Sequence, residues 1–409
     1  MKRGHIAIAS SQTNGHVYPM LPLCSELVRR GYRVTCPTND LYAEAVRCTG
    51  ASPVLLEGAP VPMNEDVKRE IAALFARPFN DSQWLFGPEL IWQYQRDSLK
   101  WWTDAALRAY SSDVPDLVLY DRYLPPGRIL ANSLSRPAIL MSAHFARYKG
   151  LYTRQNGVCR TPDGYSQASG RLDEFLDQYG VPGEDGLSHT EELNIHFIPR
   201  EFQYHNDWFD DHYCFAGPSL NRSFHRAWTK RGGDDPVVLI SSASFLHGIG
   251  INSIDNYFQL FVEALGNSEF HCVLSVGREI GEIDKKLKNL PANFEINRTV
   301  SHLEILPHAS VSVCHGGMRS ILEATCNEVP VIAIPIHPNA EEVSYRAVEL
   351  GLGMLLEHER LTVATVREAI ASTVEDRRLR ERIKEMARIF NAPGGESAAA
   401  DAVERFIKC

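Results

Sequence analysis

The chain has 409 residues and a formal charge of −9, too long for one comfortable core and without the basic run that a sequence-independent nucleic-acid partner requires. Its nine cysteines are odd in number, include no C-x-x-C pair and are scattered, which describes reduced thiols rather than a disulfide framework or a zinc site. No segment approaches the roughly 18 to 20 apolar residues of a membrane span, and the apolar stretch in MKRGHIAIASSQTNG is too short for a secretory signal, so a cytoplasmic protein handling a small molecule is expected.

Ile6 to Ser10 reads as a compact strand, and Met20, Leu23, Cys24, Leu27 and Val28 recur at helical spacing after Pro19, a residue tolerated in a first helical turn. Gly31 ends that helix and Arg33 to Cys36 resumes as a strand, a β-α-β opening of a mostly parallel sheet to which Leu117 to Tyr120 and Ala138 to Met141 add strands. Between them, residues 79–102 hold Phe79, Trp84, Phe86, Trp92, Tyr94, Trp101 and Trp102. Such a concentration reads either as helix packing against the sheet or as a wall for a flat apolar ligand.

The segment from Arg147 to Glu192 is rich in Gly, Ser, Asp and Arg and shows one short helix, near Leu172 to Tyr179, so it is expected to be mainly surface loop. The polar stretch Asn221 to Asp235 behaves as a linker after the Gly217-Pro218 turn. Strands restart at Val237 to Ser241, Cys272 to Val276, Val311 to Cys314 and Val331 to Ile334, a second doubly wound pattern. The tail, Glu396 to Lys408, predicts an amphipathic helix with Ala399, Ala402, Val403, Phe406 and Ile407 on one face.

Two places carry chemistry. In ILPHASVSVCHGGMRSILEATCNEVPVIAIPIHP, from Ile305 to Pro338, the strand ends at a His315-Gly316-Gly317 turn, and Ser320 and Glu323 lie three apart on the following helix. The first turn of a helix has free N–H groups and a partial positive charge, so a diphosphate is stabilised there, and glycine lets it approach. Ser320 and His315 supply further donors, and Glu323 is an acceptor suited to ribose hydroxyls. Near the amino terminus, His16 follows the first strand at the sheet's carboxyl edge, and Asp121 emerges at the end of another strand. An imidazole titrating near neutrality can take a proton from a hydroxyl, and a carboxylate on its Nδ1 would fix the tautomer.

His315-Gly316-Gly317-x-x-Ser320-x-x-Glu323, followed by Val329-Pro330-Val331-Ile332-Ala333-Ile334-Pro335, resembles the donor signature of family-one glycosyltransferases of the GT-B fold, in their bacterial macrolide-type branch. The likeness extends over almost the whole chain, through Gly15-His16, Phe215-Ala216-Gly217-Pro218 and Glu349-Leu350-Gly351-Leu352-Gly353. It implies an α/β architecture of two Rossmann-like doubly wound domains facing each other across a cleft. Residues 1–220 would form the acceptor domain, 221–236 the linker, 237–390 the nucleotide-sugar domain, and 391–409 a helix packing back on the first domain.

The resemblance further implies inverting transfer of a hexose from a nucleotide diphosphate sugar, with UDP favoured over TDP, to a hydroxyl of an apolar natural product. His16 would act as base with Asp121 behind it. Donor contacts would come from Ser244, His315, Gly316, Gly317, Ser320, Glu323, Asn339 and Ala340, and acceptor contacts from Trp84, Phe86, Trp92 and Phe145. No metal or other cofactor is expected, because no carboxylate-x-carboxylate motif stands near the donor signature; nor is a nucleic-acid partner, and the protein would be a monomer or homodimer.

The pattern breaks at two points. Asn339-Ala340 stands where many relatives carry Asp or Glu followed by Gln, which points either to a deoxygenated or modified sugar or to a local insertion that keeps glucose binding. Ser301-His302 stands where Pro-Gln is frequent, near the expected position of the base. Two other readings share the fold: a sugar-nucleotide epimerase, and a non-catalytic accessory partner of another transferase.

Overall fold

The computed structural model describes residues 3–58, 61–75, 89–147, 153–154, 158–159, 163–183, 189–220, 228–230, 233–242, 253–276, 289–298, 301–336 and 338–408. The chain divides into two compact units, Met1–Asn221 together with Pro393–Cys409, and Arg222–Ala392.

In the first unit the strands of the main sheet are β1 (His5–Ala9), β2 (Arg33–Thr38), β3 (Ser52–Leu55), β4 (Leu117–Asp121), β5 (Ala138–Ser142), β6 (Asn194–His196) and β7 (Tyr213–Phe215). They form one sheet in the order β3-β2-β1-β4-β5-β6-β7, every neighbouring pair parallel. Strand order reverses between β1 and β4, the kind of point at which open α/β sheets place ligands. The helices are α1 (Asn14–Arg29), α2 (Asp40–Arg47), α3 (Glu65–Phe75), α4 (Glu89–Ala109), α5 (Pro126–Ser133) and α6 (Asp163–Asp177).

Helix α1 begins five residues before Pro19, so Gly15 and His16 lie in its first turn rather than in a loop ahead of it, and Pro19 and Pro22 sit buried inside it. Its apolar face, with Met20, Leu23, Cys24 and Leu27, packs in one core with the C-terminal helix Glu396–Lys408 through Ala399, Ala402 and Val403. Arg30, only 12% exposed, ties the two helices by pairing with Asp401 at 2.5 Å and Glu404 at 3.4 Å while also holding Glu26. Ile407, placed on the apolar face by periodicity, is 43% exposed, because the packed stripe ends at Val403 and the partly buried Phe406.

The expectation of a mainly loop segment after Arg147 is corrected by α6, 15 residues long, whose Leu172, Phe175 and Leu176 are buried with Trp92 and Ile129. Sparse apolar residues in its amino-terminal half hid it from a periodicity argument.

The second unit carries β8 (Val237–Ser241), α7 (Ser253–Leu265), β9 (His271–Ser275), β10 (Phe294–Asn297), β11 (Ala309–Cys314), α8 (Met318–Cys326), β12 (Val331–Ala333), α9 (Pro338–Glu349), β13 (Gly353–Leu355), α10 (Val363–Glu375) and α11 (Arg377–Asn391). Its sheet runs β10-β9-β8-β11-β12-β13, again parallel throughout, with the order reversing between β8 and β11. The near-continuous apolar strands, such as Val237 to Ile240 at 0–1% exposure, follow from a sheet covered on both faces. Among the described residues no helix is long and apolar enough to cross a membrane.

Candidate active site

At the reversal point of the first sheet, β1 and β4 run side by side with Ala9 opposite Tyr120, and the residues just beyond them meet. His16 Nδ1 lies 2.7 Å from Asp121 Oδ2, with the imidazole 16% exposed and the carboxylate fully buried. Backbone N–H groups of Ser11 and Tyr123 donate to the two carboxylate oxygens at 3.2 and 3.1 Å. Burial alone would lower the His16 pKa, but the adjacent Asp121 carboxylate outweighs it and the net shift is upward. Burial likewise pushes the Asp121 carboxyl up, and His16 with the two backbone donors brings it below its ordinary value.

A carboxylate is acceptor-only, so Nδ1 carries the proton and the second ring nitrogen, Nε2, holds the lone pair available to a substrate hydroxyl. Tyr123 stands edge-on to the His16 ring at a centroid distance of 4.9 Å, and His144, beyond β5, lies at 5.7 Å. Sequence reasoning missed both rings. The signal available was position, since each follows a strand's carboxyl end within two residues.

In the second unit the turn after β11 is built as the glycines require. Gly316 has φ +77, and a Cβ there would lie 2.1 Å from Ser344 Oγ and 2.8 Å from the Ala340 carbonyl, so the turn presses against α9 and only glycine fits. Gly317 is the N-cap of α8 and offers no side-chain cap, which leaves the first-turn N–H groups to other acceptors. Ser320 lies in that first turn, half-buried.

Burial, then the neighbouring His302, pushes His315 down to about 4, so its imidazole is neutral near pH 7 and keeps one N–H for donation. His302 in turn is hydrogen-bonded to Ser275 Oγ at 2.9 Å. Glu323, assigned to ribose from sequence, is 3% exposed and accepts from Arg319 Nε at 2.6 Å, an i,i+4 pair that the sequence reading did not consider.

The remaining assignments separate. Ser244, Trp84 and Phe86 lie outside the described residues. Trp92 is 7% exposed and clusters with Leu172, Phe175 and Leu176 of α6, while Phe145, at 2%, stacks on Phe202 at 5.6 Å. Ala340 is 1% exposed in α9 and its carbonyl accepts the Ser344 hydroxyl at 2.6 Å. Its methyl is therefore a core group, and of the Asn339-Ala340 pair only Asn339 is half-exposed.

Two parallel Rossmann-like sheets, each with chemistry-bearing residues at its reversal point, define the GT-B class of α/β proteins. The description "Erythromycin biosynthesis protein CIII-like, C-terminal domain" matches residues 263–400. The NDP-glycosyltransferase YjiC of Bacillus licheniformis is 32% identical over 414 residues, spanning 100% of this chain and 98% of the relative. The oleandomycin glycosyltransferase of Streptomyces antibioticus is 29% identical over 408 residues, 98% of this chain and 90% of its own. The crystal structure of the calicheamicin glycosyltransferase CalG4 superposes with a TM-score of 0.77 at 30% identity, covering 100% and 99% of the two chains.

The chain belongs to the family-one glycosyltransferases, in the branch that includes macrolide and other natural-product enzymes. It is an enzyme, and its substrates are an activated sugar and an acceptor; the epimerase and accessory readings give way to this assignment.

Proposed function

We propose that this glycosyltransferase moves a hexose from a nucleotide diphosphate sugar, UDP-linked in preference to TDP-linked, to a hydroxyl of an apolar natural product, inverting the anomeric carbon without a metal ion. The observation that carries the reading is the 2.7 Å contact between His16 Nδ1 and the fully buried Asp121 carboxylate. The name of the Bacillus relatives supports a nucleoside diphosphate donor, and the oleandomycin relative supports a macrolide-like acceptor.

In this mechanism His16 Nε2 takes the proton of the acceptor hydroxyl as the oxygen attacks the anomeric carbon from the face opposite the diphosphate, which gives inversion in one displacement. Asp121 stabilises the imidazolium that forms. Charge growing on the departing diphosphate is met by the N–H groups and dipole of α8 beyond Gly317, with the Ser320 hydroxyl and the neutral His315 as further donors, and Ser244 as a further contact expected from the sequence.

The test is His16→Ala assayed with UDP-glucose and TDP-glucose against a panel of aromatic and macrolide alcohols. Turnover should fall by about 100-fold or more, the range that one positioned base supplies, while nucleotide binding measured by calorimetry stays within about twofold of wild type. Turnover that survives the substitution would overturn the base assignment. Retained configuration in the product would overturn single displacement, and loss of activity in EDTA restored by magnesium would overturn metal independence.

A further inference from the structure

We propose that Gln12 is a positioning residue for the His16 base, its side-chain amide fastening the turn that launches α1 to the end of β2. The amide is engaged on both sides. Nε2 donates to the Ser10 carbonyl at 2.9 Å, while Oε1 accepts from the Thr38 hydroxyl at 2.8 Å and the Asn39 N–H at 3.1 Å. A carbonyl only accepts and a backbone N–H only donates, so these partners fix which end of the amide is which. Ser10 and Thr38 are 8% and 2% exposed, which shields the bonds from water.

The side chain thus ties the residue after β1 to the end of β2, beyond the last paired residues Ala7 and Thr35, where the main chain bends into α1. What hangs from that bend is the base and its orienting carboxylate. Ser11 N–H donates to Asp121 Oδ2 at 3.2 Å, Thr13 N–H to the Ser11 carbonyl at 2.8 Å, and His16 N–H to the Thr13 carbonyl at 3.1 Å. A shift of residues 10–13 therefore moves both the helix start that bears His16 and a donor on Asp121. A second tether, from the Tyr42 hydroxyl to Asn14 Oδ1 at 3.0 Å, holds the first residue of α1 but leaves the bend itself to Gln12. Among the described residues the titratable groups facing His16 are Asp121 from β4, Tyr123 beyond β4 and His144 beyond β5, and the hydrogen bonds of the Gln12 amide go to Ser10, Thr38 and Asn39 instead.

The proposal rests on His16 being the base, and a readout that needs no turnover separates the two. The C2 proton of His16 is titrated by NMR in the substrate-free protein, assigned with His16→Ala, for wild type, Gln12→Met, Gln12→Glu and Thr38→Val, alongside kcat and KM for UDP-glucose with 4-methylumbelliferone as probe acceptor. In Gln12→Met the His16 midpoint should fall by about 0.5 pH unit or more, with kcat down about 10-fold and donor KM unchanged. Gln12→Glu keeps an acceptor toward Thr38 and Asn39 but sets a carboxylate oxygen against the Ser10 carbonyl and adds a negative charge that by itself raises the His16 midpoint, so it is read on kcat, which should fall as in Gln12→Met.

An unaltered midpoint and kcat in folded Gln12→Met overturn the proposal, as does a kcat loss that merely tracks the fraction unfolded. Should Gln12→Met not fold, Thr38→Val decides: a smaller shift of the same sign supports the tether, and none overturns it. Turnover surviving in His16→Ala overturns the base reading alone, and the titration still decides the role of Gln12.

Discussion

Asp121 is completely buried and its Oδ2 lies 2.7 Å from the Nδ1 of His16, a residue that reaches it from the first turn of a helix on the neighbouring strand connection. The pair is worth more than two separate residues, because each corrects what burial does to the other. Alone in this environment the imidazole would titrate low and the carboxyl high; together both shift the opposite way.

The pH profile should report this pair. A base must be neutral to accept a proton, so the acidic limb of kcat/KM should lie above the ordinary histidine value of 6.5. Asp121→Asn removes the charge that raises it, so that limb should move down and kcat should fall by about 100-fold or more. A pH-rate series on both proteins checks it, and identical limbs would exclude the pairing.

Stability follows with a definite sign. The raised His16 pKa adds stability that is complete below 6.5 and disappears as pH rises through the folded value; the depressed Asp121 pKa adds stability present above 3.8 and lost as pH falls through its folded value. Denaturant midpoints of wild type minus those of His16→Ala should therefore be largest between about pH 4 and 6.5.

Gly316→Ala should damage the donor site specifically. Its φ of +77 costs an L-residue about 1–2 kcal/mol, and the added methyl meets Ser344 Oγ and the Ala340 carbonyl. Calorimetry should show UDP affinity down by about 10-fold or more, with the His16 titration untouched. Wild-type affinity in the variant would remove the close approach from the argument.

Trp92→Ala should cost stability before it costs acceptor recognition, since the indole is packed among Leu172, Phe175 and Ile129. A loss of about 3–5 kcal/mol in chemical denaturation is expected. Unchanged stability with a raised acceptor KM would restore Trp92 to the acceptor wall.

Removal of residues 393–409 should destabilise the first unit. The Ala399, Ala402 and Val403 face covers α1, and Arg30 would lose Asp401 and Glu404. Hydrogen exchange should rise along α1 while α8 keeps its protection. The reverse pattern would mean that the tail belongs with the second unit.

Much was legible without coordinates where the determinants are close together in the chain. The β-α-β opening, the Gly316-Gly317 turn and the helix after it depend on periodicity and glycine within a few residues, so local composition decided them. His16 and Asp121 stood out because each closes or follows an apolar strand. Their contact is a different matter: it exists because strand order places β4 beside β1, a choice made by the packing of all seven strands.

Tertiary packing alone also decided which side of an aromatic is covered and which partner a charge finds. Trp92 and Phe145 carry the same composition signal whether they line a pocket or fill a core; that they are buried against α6 and Phe202 is set by segments distant in sequence. Glu323 and Arg319 sit one helical turn apart, yet only the burial of that carboxylate shows that the pair is closed. Local order is a property of neighbouring residues and can be read from them, whereas contacts, exposure and the electrostatic balance at a site are set by segments far apart in the chain that the sequence never places side by side.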